Sequence, residues 1–107
     1  MQPMNRQEWQ LHPQLAQDCF TVGDLCLSRV LLMNDANYPW LVLVPRRPDL
    51  MEVIDLPPEG CTELMSEIVV AASEMRRLTA CHKLNVAALG NAVPQLHVHV
   101  IARFRTD

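Results

Sequence analysis

The chain has 107 residues, of which 50% are hydrophobic and 20% charged, and its formal net charge is −3. This composition is typical of one soluble globular domain, and no apolar run reaches the roughly 18 residues that a membrane-spanning helix needs. The scattered charges argue against nonspecific binding to nucleic acid, and residues 1–10 lack the apolar segment of a secretory signal. We therefore expect a single domain over residues 1–107, with neither nucleic acid nor a membrane as partner.

The chain contains four cysteines, and no two of them are spaced as a CxxC pair. Each lies among apolar residues, which is typical of buried free thiols in a reducing compartment. We therefore expect a cytoplasmic protein without a disulfide framework. The four positions are Cys19, Cys26, Cys61 and Cys81.

The first half of the chain predicts an irregular segment followed by a β-hairpin. Residues 1–20 read as an irregular extension with at most one helical turn, over residues 13–18, and residues 21–24 read as a turn. Apolar residues then alternate over residues 25–33, which predicts a strand. After a segment rich in turn formers, residues 40–44 are continuously apolar. This second strand is therefore expected to be central in the sheet, with both faces covered.

The second half predicts one long helix followed by two strands. After a loop that ends in two prolines, residues 59–82 carry apolar side chains at helical spacing. Residues 84–89 and 96–104 are β-forming, and a short turn joins them. The order β-β-α-β-β predicts an α+β fold, an antiparallel sheet with the helix on one face. The predicted buried stripe of the helix is Leu64, Ile68, Ala71, Met75, Leu78 and His82.

The last predicted strand carries the most informative pattern in the sequence. Side chains alternate between the two faces of a strand, so Gln95, His97 and His99 are expected to point the same way. The Cα atoms of the two histidines would then lie about 6.5–7 Å apart. The opposite face is wholly apolar, which fixes the register of the strand and directs both imidazoles to one place.

Three interpretations of this histidine pair are open from the residues alone. The pair could belong to an ordinary polar sheet face, bind a metal, or act in catalysis. Imidazole is a nucleophile that also carries protons near pH 7, so one ring could attack phosphorus while its neighbour assists. Metal binding needs at least a third ligand, and neither His12 nor His82 has a ligand-like neighbour. We therefore expect no metal.

Three segments, in sequence order, resemble the histidine triad (HIT) family. Residues 95–103, Gln-Leu-His-Val-His-Val-Ile-Ala-Arg, resemble the HIT signature His-φ-His-φ-His-φφ, in which φ is apolar. Residues 40–47 resemble the family's apolar strand that ends in proline and basic residues. Residues 84–86 together with Gly90 resemble its asparagine-containing strand before a glycine loop. The resemblance extends over residues 21–104 and is greatest to the HIT-like bacterial group often labelled diadenosine tetraphosphate hydrolase.

The resemblance implies a homodimer whose sheet has about five antiparallel strands, with one long helix packed on it. It also implies a nucleotide-binding hydrolase or transferase that needs no cofactor. Such an enzyme cleaves dinucleoside polyphosphates or nucleoside phosphoramidates at the α-phosphorus through a nucleotidyl-histidine intermediate. His97 matches the nucleophile, and His99 matches the histidine that contacts phosphate and helps the leaving group.

The chain departs from the family pattern at Gln95, which stands where the first triad histidine is expected and which is, with His97 and His99, a candidate catalytic residue. Glutamine forms hydrogen bonds but cannot titrate, so the alternative is a catalytically weak or inactive module that binds or senses nucleotides. The resemblance gives Asn34 and Asn85 as candidate substrate-binding residues, with a plain turn asparagine and a strand-edge asparagine as the alternatives. The family's phosphate-contacting residue in the glycine loop has no clear match here, and Asn91 is taken as the candidate in its place. Trp40 stands where many relatives carry another histidine, and we interpret it as a packing residue.

Overall fold

A computed structural model describes residues 8–107 of the chain. Its five strands form one antiparallel sheet in the order β1-β2-β3-β5-β4, with one long helix, so the α+β fold expected from the sequence is confirmed. Within the described residues no helix has both the length and the apolar character needed to cross a membrane. The elements are α1 (Pro13–Asp18), β1 (Cys19–Asp24), β2 (Ser28–Met33), β3 (Trp40–Pro45), a 3-10 turn (Val53–Asp55), α2 (Pro58–Thr79), β4 (Lys83–Ala87) and β5 (Val98–Arg103).

The prediction of a turn at residues 21–24 was wrong, because these residues lie in β1, an edge strand that pairs with β2. The turn falls at residues 25–27 instead, and the strand predicted from residue 25 begins at Ser28. Glu67 of α2 explains the shift, since its buried carboxylate accepts the backbone N–H groups of Leu27 and Ser28 at 2.7 and 2.9 Å. Of the predicted extension, residues 1–7 lie outside the described residues.

Helix α2 ends three residues earlier than predicted. Ala80 adopts a left-handed conformation (φ 55°), and its N–H donates to the carbonyl of Arg76, which closes the helix. The chain then turns back to the sheet, so Cys81 rather than Leu78 completes this end of the core. Leu78 is 71% exposed and His82 is exposed, so both were wrongly assigned to the buried stripe, whereas its other four members are buried.

The sheet is covered on both faces, and only one of the two covers was predicted. On one face α2 packs over Leu43, Val98 and Val100. On the other face Leu31, Val42 and Val44 are covered by the segment predicted to be irregular, chiefly through buried Leu15 of α1 and through Trp9 and Leu11. Because β3 contributes completely buried residues to both cores, the expectation of a central, doubly covered strand is confirmed.

The four thiols are unpaired, as expected, but they are not all buried. Cys81 is buried beside Met75, whereas Cys26 is exposed in the turn between β1 and β2. Cys19 and Cys61 are half-buried. The apolar surroundings in the sequence therefore predicted burial correctly for Cys81, in part for Cys19 and Cys61, and wrongly for Cys26.

Candidate active site

The two histidines of the signature stand side by side at the start of β5. His97 immediately precedes the strand, and His99 is its second residue, opposite Val42 of β3 and Ala87 of β4. The ring centroids are 5.0 Å apart, the rings are nearly perpendicular, and each residue is 7% exposed. A strand paired on both sides holds such a pair more rigidly than a loop would.

His97 is oriented so that only one of its ring nitrogens faces the cavity beside it. Its Nδ1 lies 2.6 Å from the carbonyl oxygen of Gln95, and because a carbonyl only accepts hydrogen bonds, Nδ1 carries the proton. The unprotonated nitrogen of the neutral ring is then Nε2. Within residues 8–107 Nε2 has no hydrogen-bond partner, and it lies beside Gly90, where a Cβ atom would be 3.5 Å away. The ring therefore presents a lone pair to the cavity.

The cavity holds about 270 Å³ and is formed by three segments of the chain. They are the loop before the 3-10 turn, the loop that follows β4, and the segment that leads into β5. Gly90 has a φ of 114°, a conformation that favours glycine and brings the loop backbone close to His97. The lining residues are Met51, Glu52, Ala88, Leu89, Gly90, Asn91, Val93, Gln95, Leu96 and His97.

Both ring nitrogens of His99 are occupied by protein groups. Its Nδ1 accepts a hydrogen bond from the indole Nε1 of Trp40 at 2.9 Å, and its Nε2 lies 3.2 Å from the carbonyl oxygen of Leu89. Burial lowers the pKa of His99 below its ordinary value and the nearby His97 lowers it further, although the bond to Leu89 acts in the opposite direction. His99 is therefore set up to be neutral, with its proton on Nε2.

Gln95 lies beside the cavity, but its carboxamide is directed to the N-terminal segment. The strand predicted from residue 96 begins at Val98, so Gln95 lies in a bend before it. Its Oε1 accepts the backbone N–H of His12 at 2.8 Å, and its Nε2 donates to the carbonyl of Gln10 at 2.9 Å. The residue thus contacts His97 through its backbone carbonyl and the N-terminal segment through its side chain.

The three candidate asparagines lie in three different places. Asn91 lines the same cavity as His97. Asn34 lines a separate cavity of about 460 Å³, in which Trp40 is also a wall. Asn85 lies on β4, two residues before the partner of His99, and its Oδ1 accepts a hydrogen bond from Arg103 at 3.1 Å. Only Asn91 therefore shares a cavity with His97.

Residues 8–107 contain no group of three or more His, Cys, Asp or Glu side chains that could hold a metal ion.

The comparison with protein families gives a clear result, since the model of the HIT domain matches residues 14–106. This chain belongs to the HIT domain family. The α+β fold agrees with that membership.

Several solved HIT proteins are similar to this chain over most of its length. A histidine triad protein from Bradyrhizobium japonicum is 56% identical, with a TM-score of 0.89, over 91% of this chain and 72% of that one. HIT proteins from Sinorhizobium meliloti and Marinobacter aquaeolei are 43% and 45% identical, both with TM-scores of 0.91. They cover 92% and 94% of this chain, which covers 73% of each. A search of the curated proteins found no significant match.

Trp40 is the site residue of this HIT domain that sequence reasoning assigned differently. We interpreted it as packing, and it does pack beside Val42 and Leu15, but its indole N–H also ends on the ring of His99. One signal in the sequence pointed to this contact, because Trp40 stands where, by the resemblance, many relatives carry a histidine. The structure supplies the other, since a half-buried tryptophan needs an acceptor for its N–H.

Proposed function

We propose that this HIT domain is a nucleotide hydrolase or transferase in which His97 attacks the α-phosphorus of a nucleotide. The substrate would be a dinucleoside polyphosphate or a nucleoside phosphoramidate, as for the diadenosine tetraphosphate hydrolase-like group. The observation that carries the proposal is the orientation of His97, whose Nδ1 is held by the carbonyl of Gln95 while Nε2 faces the cavity. An imidazole fixed in this tautomer is a nucleophile that needs no base to activate it.

The reaction would have two steps, and both use the same nitrogen. In the first, the lone pair of His97 Nε2 forms a bond to phosphorus, and the bond from phosphorus to the leaving group breaks. Nδ1 keeps its proton, so the nucleotidylated ring is positively charged and its N–H bond to Gln95 becomes a charge-assisted one. In the second, water attacks phosphorus, Nε2 takes back its electron pair, and a nucleoside monophosphate is released with a proton to solvent.

The other proposed substrate contacts follow from the cavities in which they lie. Asn91 and the backbone N–H groups of the glycine loop would hold phosphate oxygens beside His97, where developing negative charge needs donors. Asn34 would contact the nucleoside in the neighbouring cavity. Because Arg103 occupies the amide oxygen of Asn85, we propose that this residue supports β4.

We also propose that the protein is a homodimer. β4 lies at the edge of the sheet, so one side of its backbone has no strand partner within residues 8–107. Met65 of α2 and Val86 of β4, which are 59% and 47% exposed, line one largely apolar cavity beside this edge. Contiguous exposed apolar surface beside an open strand edge is typical of a protein–protein contact. Light scattering of the purified chain measures its mass directly.

The test of the catalytic proposal compares three proteins on diadenosine tetraphosphate and on an AMP phosphoramidate. The wild type should release AMP and should show, in the quenched reaction, an adenylyl adduct on the peptide that contains His97. His97→Ala should lose both, and His82→Ala, which removes an exposed histidine between α2 and β4, should lose neither. Equal rates for wild type and His97→Ala contradict the assignment of the nucleophile. Calorimetric binding of AMP without turnover would favour the alternative of a nucleotide-binding module.

A further inference from the structure

The hydrogen bond from Trp40 to His99 determines where the proton of that imidazole lies. An indole N–H is only a donor, so the His99 Nδ1 that receives it at 2.9 Å must be unprotonated. The ring then carries its proton on Nε2, which donates to the carbonyl of Leu89 at 3.2 Å. A positively charged His99 would need a proton on Nδ1 as well, and that proton would face the indole N–H.

The surroundings of His99 offer no acceptor for the second proton, on Nδ1, that a positively charged ring would carry. Its partners in the neighbouring strands are Val42 and Ala87, both apolar. The titratable group that acts on it is His97, whose ring centroid is 5.0 Å away, and a second charge there would be repelled. Within residues 8–107 no carboxylate is bonded to the ring. Burial adds to the cost, because His99 is only 7% exposed.

We propose that Trp40 is a positioning residue that fixes His99 as a neutral Nε2–H donor, and that the site consequently favours leaving groups that depart without taking up a proton. The proposal rests on the proposed function, in which His97 is the nucleophile. It leaves His99 without a proton for the leaving group, since Nδ1 is unprotonated and the single N–H, on Nε2, donates to the carbonyl of Leu89. The sequence analysis expected His99 to help the leaving group. The proposal excludes one form of that help, the transfer of a proton from His99.

The chemical consequence concerns the bond that breaks when His97 attacks. The leaving group takes the electron pair of its bond to phosphorus, and neutral His99 cannot protonate it, because giving up the single proton on Nε2 would leave an imidazolate. A phosphoanhydride satisfies this condition, since its leaving group is a phosphate that is stable as an anion. A phosphoramidate does not, because its amine must gain a proton on departure. The site should therefore prefer phosphoanhydrides and activated esters to phosphoramidates.

The state of His99 can be measured without any substrate, by long-range 15N–1H NMR of the imidazoles in the full chain. In the wild type, Nδ1 of His99 should be unprotonated and Nε2 protonated at neutral pH. Trp40→Phe should raise the fraction of the cation, because Nε2 keeps its proton against the Leu89 carbonyl while Nδ1 becomes free to take up a second one. Trp9→Phe is the matched control, because Trp9 packs in the same apolar cluster while its buried indole N–H has no partner among the described residues. A wild-type His99 protonated on Nδ1 overturns the proposal.

The consequence for substrates is measured with AMP p-nitrophenyl ester and AMP morpholidate near pH 6. We expect Trp40→Phe to lower the ratio of the two kcat/KM values, ester over amide, by at least about tenfold, since proton transfer typically contributes 10²–10⁴-fold. Trp9→Phe should leave the ratio unchanged, and an unchanged ratio in Trp40→Phe contradicts the proposal. If the wild type cleaves neither compound, the proposed function fails, and the NMR experiment alone decides the role of Trp40.

Discussion

Gln95 and His12 are joined by a hydrogen bond although they are 83 residues apart in sequence, the backbone N–H of His12 donating to Oε1 of Gln95 at 2.8 Å. The same carboxamide donates to the carbonyl of Gln10 at 2.9 Å, so one side chain satisfies both a donor and an acceptor of the N-terminal segment. A charged histidine offers only donors and could not do this. The segment that it holds covers the face of the sheet on which Leu31, Val42 and Val44 are buried.

Gln95→Ala should loosen this segment. We expect the free energy of unfolding to fall by about 1–3 kcal/mol, because two backbone groups lose their partners. Amide hydrogen exchange should accelerate over residues 9–18 more than in the rest of the sheet. Gln14→Ala, which removes an exposed side chain whose amide donates to Asp18 of the same short helix, is the control and should change neither quantity. Unchanged exchange in Gln95→Ala would show that the apolar contacts of Trp9 and Leu15 hold the segment by themselves.

Glu67→Ala should destabilise the fold more strongly than the replacement of an exposed residue of α2. The buried carboxylate accepts the N–H groups of both Leu27 and Ser28. A hydrogen bond to a charged group contributes about 1.5–3 kcal/mol to stability. We expect urea unfolding to report a loss of about 2–4 kcal/mol, on the scale of buried network disruption.

The control for this prediction is Glu63→Ala, one turn earlier on the same helix, where the side chain is exposed. It should change the free energy of unfolding by no more than about 0.5 kcal/mol. Glu67→Gln keeps one acceptor oxygen and should fall between the two. Equal stability of Glu67→Ala and Glu63→Ala would mean that water can replace the carboxylate at the turn.

The pKa of His99 predicts a pH dependence of stability. Because burial lowers this pKa in the folded chain below its ordinary value of 6.5, the unfolded chain takes up the proton first as the pH falls. The stability that His99 contributes is therefore complete above about pH 6.5 and is lost as the pH falls toward the folded pKa. Between about pH 7 and pH 5, the free energy of unfolding of the wild type should decline more steeply than that of His99→Gln. Parallel declines would mean that His99 titrates normally.

The sequence predicted most of the fold because its longer elements are strongly patterned. The stripe at Leu64, Ile68, Ala71 and Met75 and the apolar run of β3 have the periods of their structures, and the HIT resemblance supplied the five-stranded sheet. β1 was missed because its side chains are mostly exposed and carry no alternation of apolar and polar residues. Its strand is defined by pairing with β2, and pairing leaves little trace in a single sequence.

The candidate site was predicted in part for the same reason. Strand alternation brings His97 and His99 together, and their rings do lie 5.0 Å apart. Strand alternation does not predict the direction of the Gln95 side chain, because the chain bends before β5. Its carboxamide instead forms hydrogen bonds with the backbone of His12 and Gln10, which are 83 and 85 residues away in sequence. The bond of Trp40 to His99 likewise depends on the pairing of β3 with β5. Contacts between segments that are distant in sequence depend on the whole fold, so local sequence patterns cannot predict them.

Gly90→Ala should reduce activity, whereas the same substitution at a glycine outside this loop should not. The φ of 114° at Gly90 is strained for any residue with a Cβ, at a cost of about 1–3 kcal/mol, and that Cβ would lie 3.5 Å from Nε2 of His97. We expect kcat/KM for the release of AMP to fall by at least about tenfold, since the nitrogen proposed as nucleophile loses its open approach. Gly23→Ala in β1 is the matched control, because its Cβ would meet no atom within 4 Å. It should keep full activity, and if Gly90→Ala does so too, phosphate does not approach His97 from the side of this loop.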